Sequence, residues 1–209
     1  MRIVITGATG FIGSYLAALF LREGAEVFAL SRPDSPNLKA LPVHENLHIV
    51  PWSMDRAGDC VSQIGSADAF FHFAWGGVNR QEIDSPEVQA KNVEGSLECI
   101  RAAKALSCSV FMDAGSRVEY GLTDGIMSED RECAPINQYG KAKLEFYQNA
   151  APLCGELNMN FTRRRLLCAK SWGFTISICG FSASTAPGIT PGRSSPLWCG
   201  SCPRERAFP

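Results

Sequence analysis

The chain has 209 residues, enough to bury a proper core in one large domain or two small ones. Its 20 Lys+Arg and 21 Asp+Glu balance to a formal net charge of -1, which excludes the basic field that nucleic-acid binding needs. No apolar stretch is long enough for a membrane helix and the opening apolar run is too short for a signal peptide. A cytoplasmic protein with free thiols is therefore expected, although the chain carries 9 cysteines.

Strands alternate with amphipathic helices, which predicts a parallel α/β sheet covered on both faces, doubly wound in the Rossmann manner. Ile3 to Thr6 is the first strand, and Gly7-Ala8-Thr9-Gly10-Phe11-Ile12-Gly13 follows it directly. In such a turn Gly7 permits the sharp reversal, Gly10 keeps a side chain away from an approaching pyrophosphate, and Gly13 lets helix and strand pack closely. The helix from Phe11 to Arg22 then points its positive end, through Phe11 and Ile12, at the phosphates. Gly24 stops that helix and Ala25 to Leu30 forms the second strand.

At the end of that strand, a carboxylate would bind a ribose 2′-hydroxyl and an arginine would accommodate a 2′-phosphate. Ser31 and Arg32 stand there with no carboxylate before Asp34, so NADP is favoured over NAD. Leu47 to Pro51 is the third strand, Ala69 to Ala74 a buried fourth, Val88 to Leu106 a long helix and Ser109 to Asp113 the fifth strand. Tyr139 to Cys154 is a further helix, on which Tyr139 and Lys143 share one face at i and i+4. Bringing a free phenol from its pKa of about 10 to neutrality takes roughly 4 kcal/mol, which a neighbouring ammonium and a cationic nicotinamide supply by favouring the phenolate. Ser116, just past the fifth strand, is placed to hold the reacting oxygen as charge develops on it.

Residues 1 to about 160 resemble the extended short-chain dehydrogenase/reductase family, especially its NAD(P)-dependent sugar-nucleotide epimerases, dehydratases and reductases. The resemblance rests on Gly7-x-x-Gly10-x-x-Gly13, on His72-Phe73-Ala74-Trp75, on Asn92-Val93 opening a helix, on Gly115-Ser116-Arg117-Val118-Glu119-Tyr120-Gly121 and on Tyr139-x-x-x-Lys143. It implies that Ser116, Tyr139 and Lys143 form a catalytic triad, with Lys143 also holding the nicotinamide ribose. It further implies that Ala74 and Trp75 line the cofactor channel, that Ser53 and Met54 flank the adenine, and that the protein pairs as a homodimer. Family dehydratases carry Thr-Asp-Glu where this chain has Ser116-Arg117-Val118, so epimerisation or keto reduction of a sugar nucleotide is expected rather than elimination of water. The rival readings are a non-catalytic dinucleotide-binding or redox-sensing protein, and a family member acting on a steroid or flavonoid alcohol.

From Thr162 the sequence changes character, which divides the chain into a dinucleotide-binding domain over 1–161 and an irregular tail over 162–209. Arg163-Arg164-Arg165 precedes scattered Ser, Pro, Gly, Cys and Trp without a period of two or 3.6, a composition of loop or disorder. The resemblance implies a further strand and a substrate lobe at this point. With plausible codons, a shifted frame through Ala183 to Thr190 permits Val-Tyr-Gly-Pro-Gly-Asp-His, similar to the family's signature after its sixth strand, so a frameshifted tail and an inactive chain are the expectation. Cys199-x-x-Cys202 has metal-ligand spacing but no second pair, and no metal is expected.

Overall fold

The computed structural model describes residues 1–122 and 131–165, with side chains described as far as residue 162. Among the described residues, six strands form one sheet in the order β3-β2-β1-β4-β5-β6. They are β1 (Arg2–Thr6), β2 (Glu26–Ser31), β3 (Leu47–Pro51), β4 (Ala69–His72), β5 (Val110–Gly115) and β6 (Asn160–Arg165), and every pairing is parallel. Four α-helices of the described residues connect them: α1 (Phe11–Arg22), the short α2 (Cys60–Ile64), α3 (Pro86–Ala105) and α4 (Gln138–Glu156). The chain winds outward from β1 to β3 and then crosses back to β4 on the other side of β1. That reversal opens a crevice at the carboxyl ends of β1 and β4.

Strand periodicity sorts the core onto two faces. Val4, Phe28, Leu30, Phe70 and Phe111 meet Val93, Ile100 and Leu106 from the α3 side and Ala142, Phe146 and Ala150 from α4. On the opposite face Phe20 of α1 packs on Phe71 with ring centroids 4.9 Å apart. The fold is thus the expected doubly wound Rossmann sheet.

Three differences from the sequence reading have local causes. β4 ends at His72 rather than Ala74: the Phe73 amide still donates to the Thr6 carbonyl at 3.2 Å, but the Thr6 hydroxyl also accepts the Phe73 and Ala74 amides at 3.1 and 3.2 Å, which turns the chain away from the ladder there. α3 begins at Pro86 rather than Val88, capped by Ser85, whose hydroxyl accepts the Val88 amide at 3.4 Å, with Pro86 in the first turn. β6 runs from Asn160 to Arg165 in register with β5, so the division expected after 161 falls inside a strand. Its three arginines suggest a polar loop, but the residues opposite them extend a ladder already begun by Asn160 and Phe161. The remainder of the tail, including Cys199 and Cys202, lies outside the described residues.

Candidate active site

The turn after β1 is shaped by what its glycines lack. Gly7 has φ +65, and a Cβ there would lie 2.8 Å from the Ala74 amide nitrogen and from the Phe73 carbonyl carbon. A Cβ on Gly13 would run into the Gly7 carbonyl oxygen and come within 2.8 Å of Ala8 Cα. Gly10 differs: its nearest contact would be Gly7 O at 3.2 Å, so its missing side chain mainly keeps the space in front of the turn open. Gly10 is also the N-cap of α1, which has no side-chain cap and no acidic residue in its first turn. Open amides at the positive end of a helix suit a phosphate, and a close-packed glycine turn suits its approach. Phe11 is exposed, Ile12 half-buried and Gly13 buried beneath them.

At the far end, Ser31 finishes β2 and Arg32 follows it. Ser31 is buried and donates its hydroxyl to the Arg32 carbonyl at 3.2 Å, whereas the Arg32 side chain is exposed. After β3, Ser53 stands at the start of a 3-10 turn (Met54–Asp59) without a side-chain capping bond. A Cβ on Gly95 of α3 would come within 2.5 Å of Met54 Cγ, so this glycine lets the helix press directly on Met54. Asp55 was not foreseen: the Ser53 hydroxyl and its own amide hold its carboxyl below the usual carboxylate range.

Gly7, Gly10, Ser31, Arg32, Met54, Asp55, Ala74 and Trp75 all line one cleft of about 990 Å³, together with residues of the 76–82 loop and of α3. Phe11, Ile12, Gly13 and Ser53 flank that lining rather than contribute to it, and Ser116, Tyr139 and Lys143 lie outside it. Trp75 joins the two groups. Its ring lines the cleft, meets the Tyr139 ring edge-on at 6.1 Å and 87°, and lies under Lys143 Nζ at 3.8 Å from the centroid.

The β4 end of the cleft is held by a buried polar chain. His72 Nδ1 is 2.8 Å from Thr6 Oγ1, and Nε2 is 2.8 Å from Ser96 Oγ. Because Thr6 Oγ1 already accepts two amides, its single proton goes to Nδ1, leaving Nε2–H to donate to Ser96. Complete burial, followed by the charge on Lys143, drives the His72 pKa down to about 3, so the ring is neutral. The following loop is tied to α3: Gly76 and the Asn92 amide exchange two hydrogen bonds of 2.9 Å. Asn92 thus lies well inside α3, not at the helix opening that the sequence suggested.

The catalytic candidates come from two elements. Tyr139 and Lys143 stand in the first two turns of α4, where the Asn137 side chain caps the helix by accepting the Gly140 amide at 2.8 Å. The Tyr139 amide donates to Ile83 O at 3.1 Å, docking the helix on the 76–85 loop. Ser116 caps the 3-10 turn after β5 (Arg117–Tyr120); its hydroxyl accepts the Val118 amide at 3.3 Å. Buried Glu119 reaches back to the Ser116 amide at 2.6 Å, closing a capping box that the Ser-x-x-Glu spacing advertises and the sequence reading missed. A Cβ on Gly140 would be 2.8 Å from Val118 O, so this bare position seats α4 against the Ser116 turn. Lys143 is buried, with Nζ 3.1 Å from Ala114 O and 3.4 Å from Asp113 Oδ1.

A model of the NAD dependent epimerase/dehydratase family matches residues 3–167. The chain belongs to this family. Among family relatives, it is 26% identical over 146 residues to the UDP-glucose 4-epimerase of Corynebacterium glutamicum, covering 69% of this chain and 44% of that protein. It is 28% identical over 170 residues to the dTDP-6-deoxy-L-talose 4-dehydrogenase (NAD(+)) of Aggregatibacter actinomycetemcomitans, covering 78% of this chain and 60% of the relative. The chain therefore spans about half the length of the relatives it matches. Among solved structures, the UDP-glucuronic acid 4-epimerase from Bacillus cereus in complex with NAD superimposes with a TM-score of 0.68 at 22% identity, over 79% of this chain and 55% of that one. That likeness is one of fold. Among the described residues no helix is long and apolar enough to cross a membrane.

Proposed function

We propose that this chain forms the nicotinamide dinucleotide-binding part of an enzyme that transfers hydride at a hydroxyl or keto carbon of a sugar nucleotide. The observation that carries the reading is Trp75, one ring that both lines the glycine-turn cleft and touches Tyr139 and Lys143. The residues fit a dinucleotide: Gly7 lets the turn pack against the Phe73–Ala74 backbone, Gly10 keeps the space in front of it open, and α1 presents there an N-terminus with no side-chain cap. The substrate class follows from relatives named as UDP-glucose 4-epimerase and dTDP-6-deoxy-L-talose 4-dehydrogenase.

When bound, the nicotinamide supplies the hydride acceptor or donor. Tyr139 is the acid-base group, taking the proton from the sugar hydroxyl or returning it to the ketone through its phenolic oxygen. Lys143, one turn along α4, favours the phenolate through its positive charge and holds the nicotinamide ribose. Ser116 donates its hydroxyl to the reacting oxygen, its backbone fixed by Glu119. Arg32, exposed on the cleft rim, suits a 2′-phosphate, so this reading favours NADP(H). The Ser31 hydroxyl turns to the Arg32 carbonyl and adds less to that preference than the sequence suggested.

Fluorescence titration with NADPH and NADH tests the cofactor reading. Saturable binding of either supports the dinucleotide site, and tighter NADPH binding that Arg32→Asp reverses supports the 2′-phosphate contact. No binding of either overturns the proposal; tighter NADH binding overturns only the NADP preference. Turnover of a UDP- or dTDP-sugar that Tyr139→Phe leaves unchanged would establish the non-catalytic rival instead.

A further inference from the structure

A lysine that must stay charged while buried needs partners on several sides, and Lys143 has them from two elements beyond its own helix. Its side chain is 6% exposed, and burying an ammonium without a counterion is strongly unfavourable. From β5, Asp113 brings a carboxylate oxygen to 3.4 Å and Ala114 a carbonyl to 3.1 Å. From the β4 tail, Trp75 brings a π face to 3.8 Å. Neither partner is placed by α4 itself. Asp113 is fixed by the sheet, beside His72 on one side and Arg163 on the other in the strand register. Trp75 is fixed by α3, since its indole N–H donates to Gln89 Oε1 at 2.9 Å. Gln89 in turn donates to Gly77 O at 3.1 Å and accepts from Asn92 at 3.2 Å.

Asp113 has no evident packing purpose. It is 1% exposed inside a strand that otherwise reads Val-Phe-Met and Ala-Gly, where an apolar side chain would be less costly to bury. Neutral His72 beside it offers no positive charge.

We propose that Asp113 is a positioning residue for the reaction of this site, its carboxylate and the face of Trp75 clamping the Lys143 ammonium in place and in its charged form. The inference deepens the hydride-transfer reading and rests on Lys143 acting in it. Removing the carboxylate leaves a buried ammonium with one side uncompensated, so Lys143 gives up its proton at lower pH. The other titratable groups around it are His72 on β4, Glu119 on the 3-10 turn packed against α4, and Tyr139 on α4 itself, with Arg163 on β6 at the register position next to Asp113. His72 is neutral throughout the working range and adds no positive charge beside Lys143, whose Nζ lies 3.4 Å from the Asp113 carboxylate.

The test is a pH titration of the whole chain by NMR with ¹⁵N-labelled lysine side chains, the Lys143 ammonium being assigned from Lys143→Arg. Wild-type Lys143 is expected to stay protonated beyond about pH 8.5. Asp113→Asn should lower its midpoint by about one pH unit or more, Asp113→Glu should restore it, and Trp75→Leu should give a smaller fall. The alkaline limb of any turnover profile should move the same way. A folded Asp113→Asn protein with the wild-type midpoint overturns the proposal, as does wild-type Lys143 losing its proton below about pH 8.5. The second criterion applies even if Asp113→Asn fails to fold. The NMR readout needs neither cofactor nor substrate, so its failure is distinct from failure of the hydride-transfer reading, which Tyr139→Phe addresses.

Discussion

The two ends of the site are built by opposite means. At the proposed phosphate end, atoms are missing at Gly7 and Gly13, where backbone packs on backbone, and at Gly10, where the space in front of the turn stays open. At the proposed acid-base end, around Ser116, Tyr139 and Lys143, the parts are polar side chains with others set around them: Glu119 behind Ser116, Asp113 and Trp75 around Lys143, Asn137 at the start of α4. A site made from backbone is damaged by adding a methyl group. A site made from side chains is damaged by taking away a single atom or charge.

That contrast separates binding from chemistry. Tyr139→Phe should cost about a thousandfold in hydride transfer while leaving dinucleotide affinity and the unfolding midpoint near wild type, as steady-state rates, titration and thermal melting would reveal. A matching loss of affinity would blur the contrast. Gly13→Ala should do the reverse, overpacking the turn against the Gly7 carbonyl and lowering stability by about 3 kcal/mol along with dinucleotide binding. Denaturant unfolding checks it, and an unaffected variant would break the claim that this end depends on missing atoms.

The buried chain through His72 sharpens the comparison through pH. His72 has its folded pKa lowered to about 3 from the ordinary imidazole value of 6.5, so the unfolded state takes up the proton first. Its contribution is fully present above about pH 6.5 and is lost as pH falls toward 3, by at most about 1.4 kcal/mol per pH unit. His72→Gln should flatten the fall of unfolding free energy across that interval, measured by urea titration at successive pH values. A curve of unchanged slope would mean other groups dominate acid sensitivity. The smallest effect is expected from Asn137→Ala, which removes the cap accepting the Gly140 amide and should destabilise by about 1 kcal/mol. Because that cap starts the helix carrying Tyr139, turnover should fall with it.

Legibility divided along the same line. The glycine turn, the parallel strands and the Tyr139/Lys143 spacing could be read because they are local: a period, a turn residue, a separation of one helical turn. The extent of β4 could not, since Thr6 takes up the Phe73 and Ala74 amides from a distant strand. β6 was obscured by three arginines whose backbone, not side chains, joins the ladder. Asp113 and Gly95 were passed over because one charge in a strand, or one glycine in a helix, gains meaning only from what lies opposite it. Glu119 was the exception, visible in the capping spacing yet unread.

The sequence by itself determined the class of fold and the two motifs, because hydrophobic period and glycine placement act within a few residues along the chain. Tertiary structure decided that Trp75 is the ring shared between the cleft and the Tyr139/Lys143 pair. It also set Asp113 beneath a buried ammonium and neutralised His72, because burial, charge and ring contacts depend on distances in space that strands far apart in sequence create only once the sheet has formed.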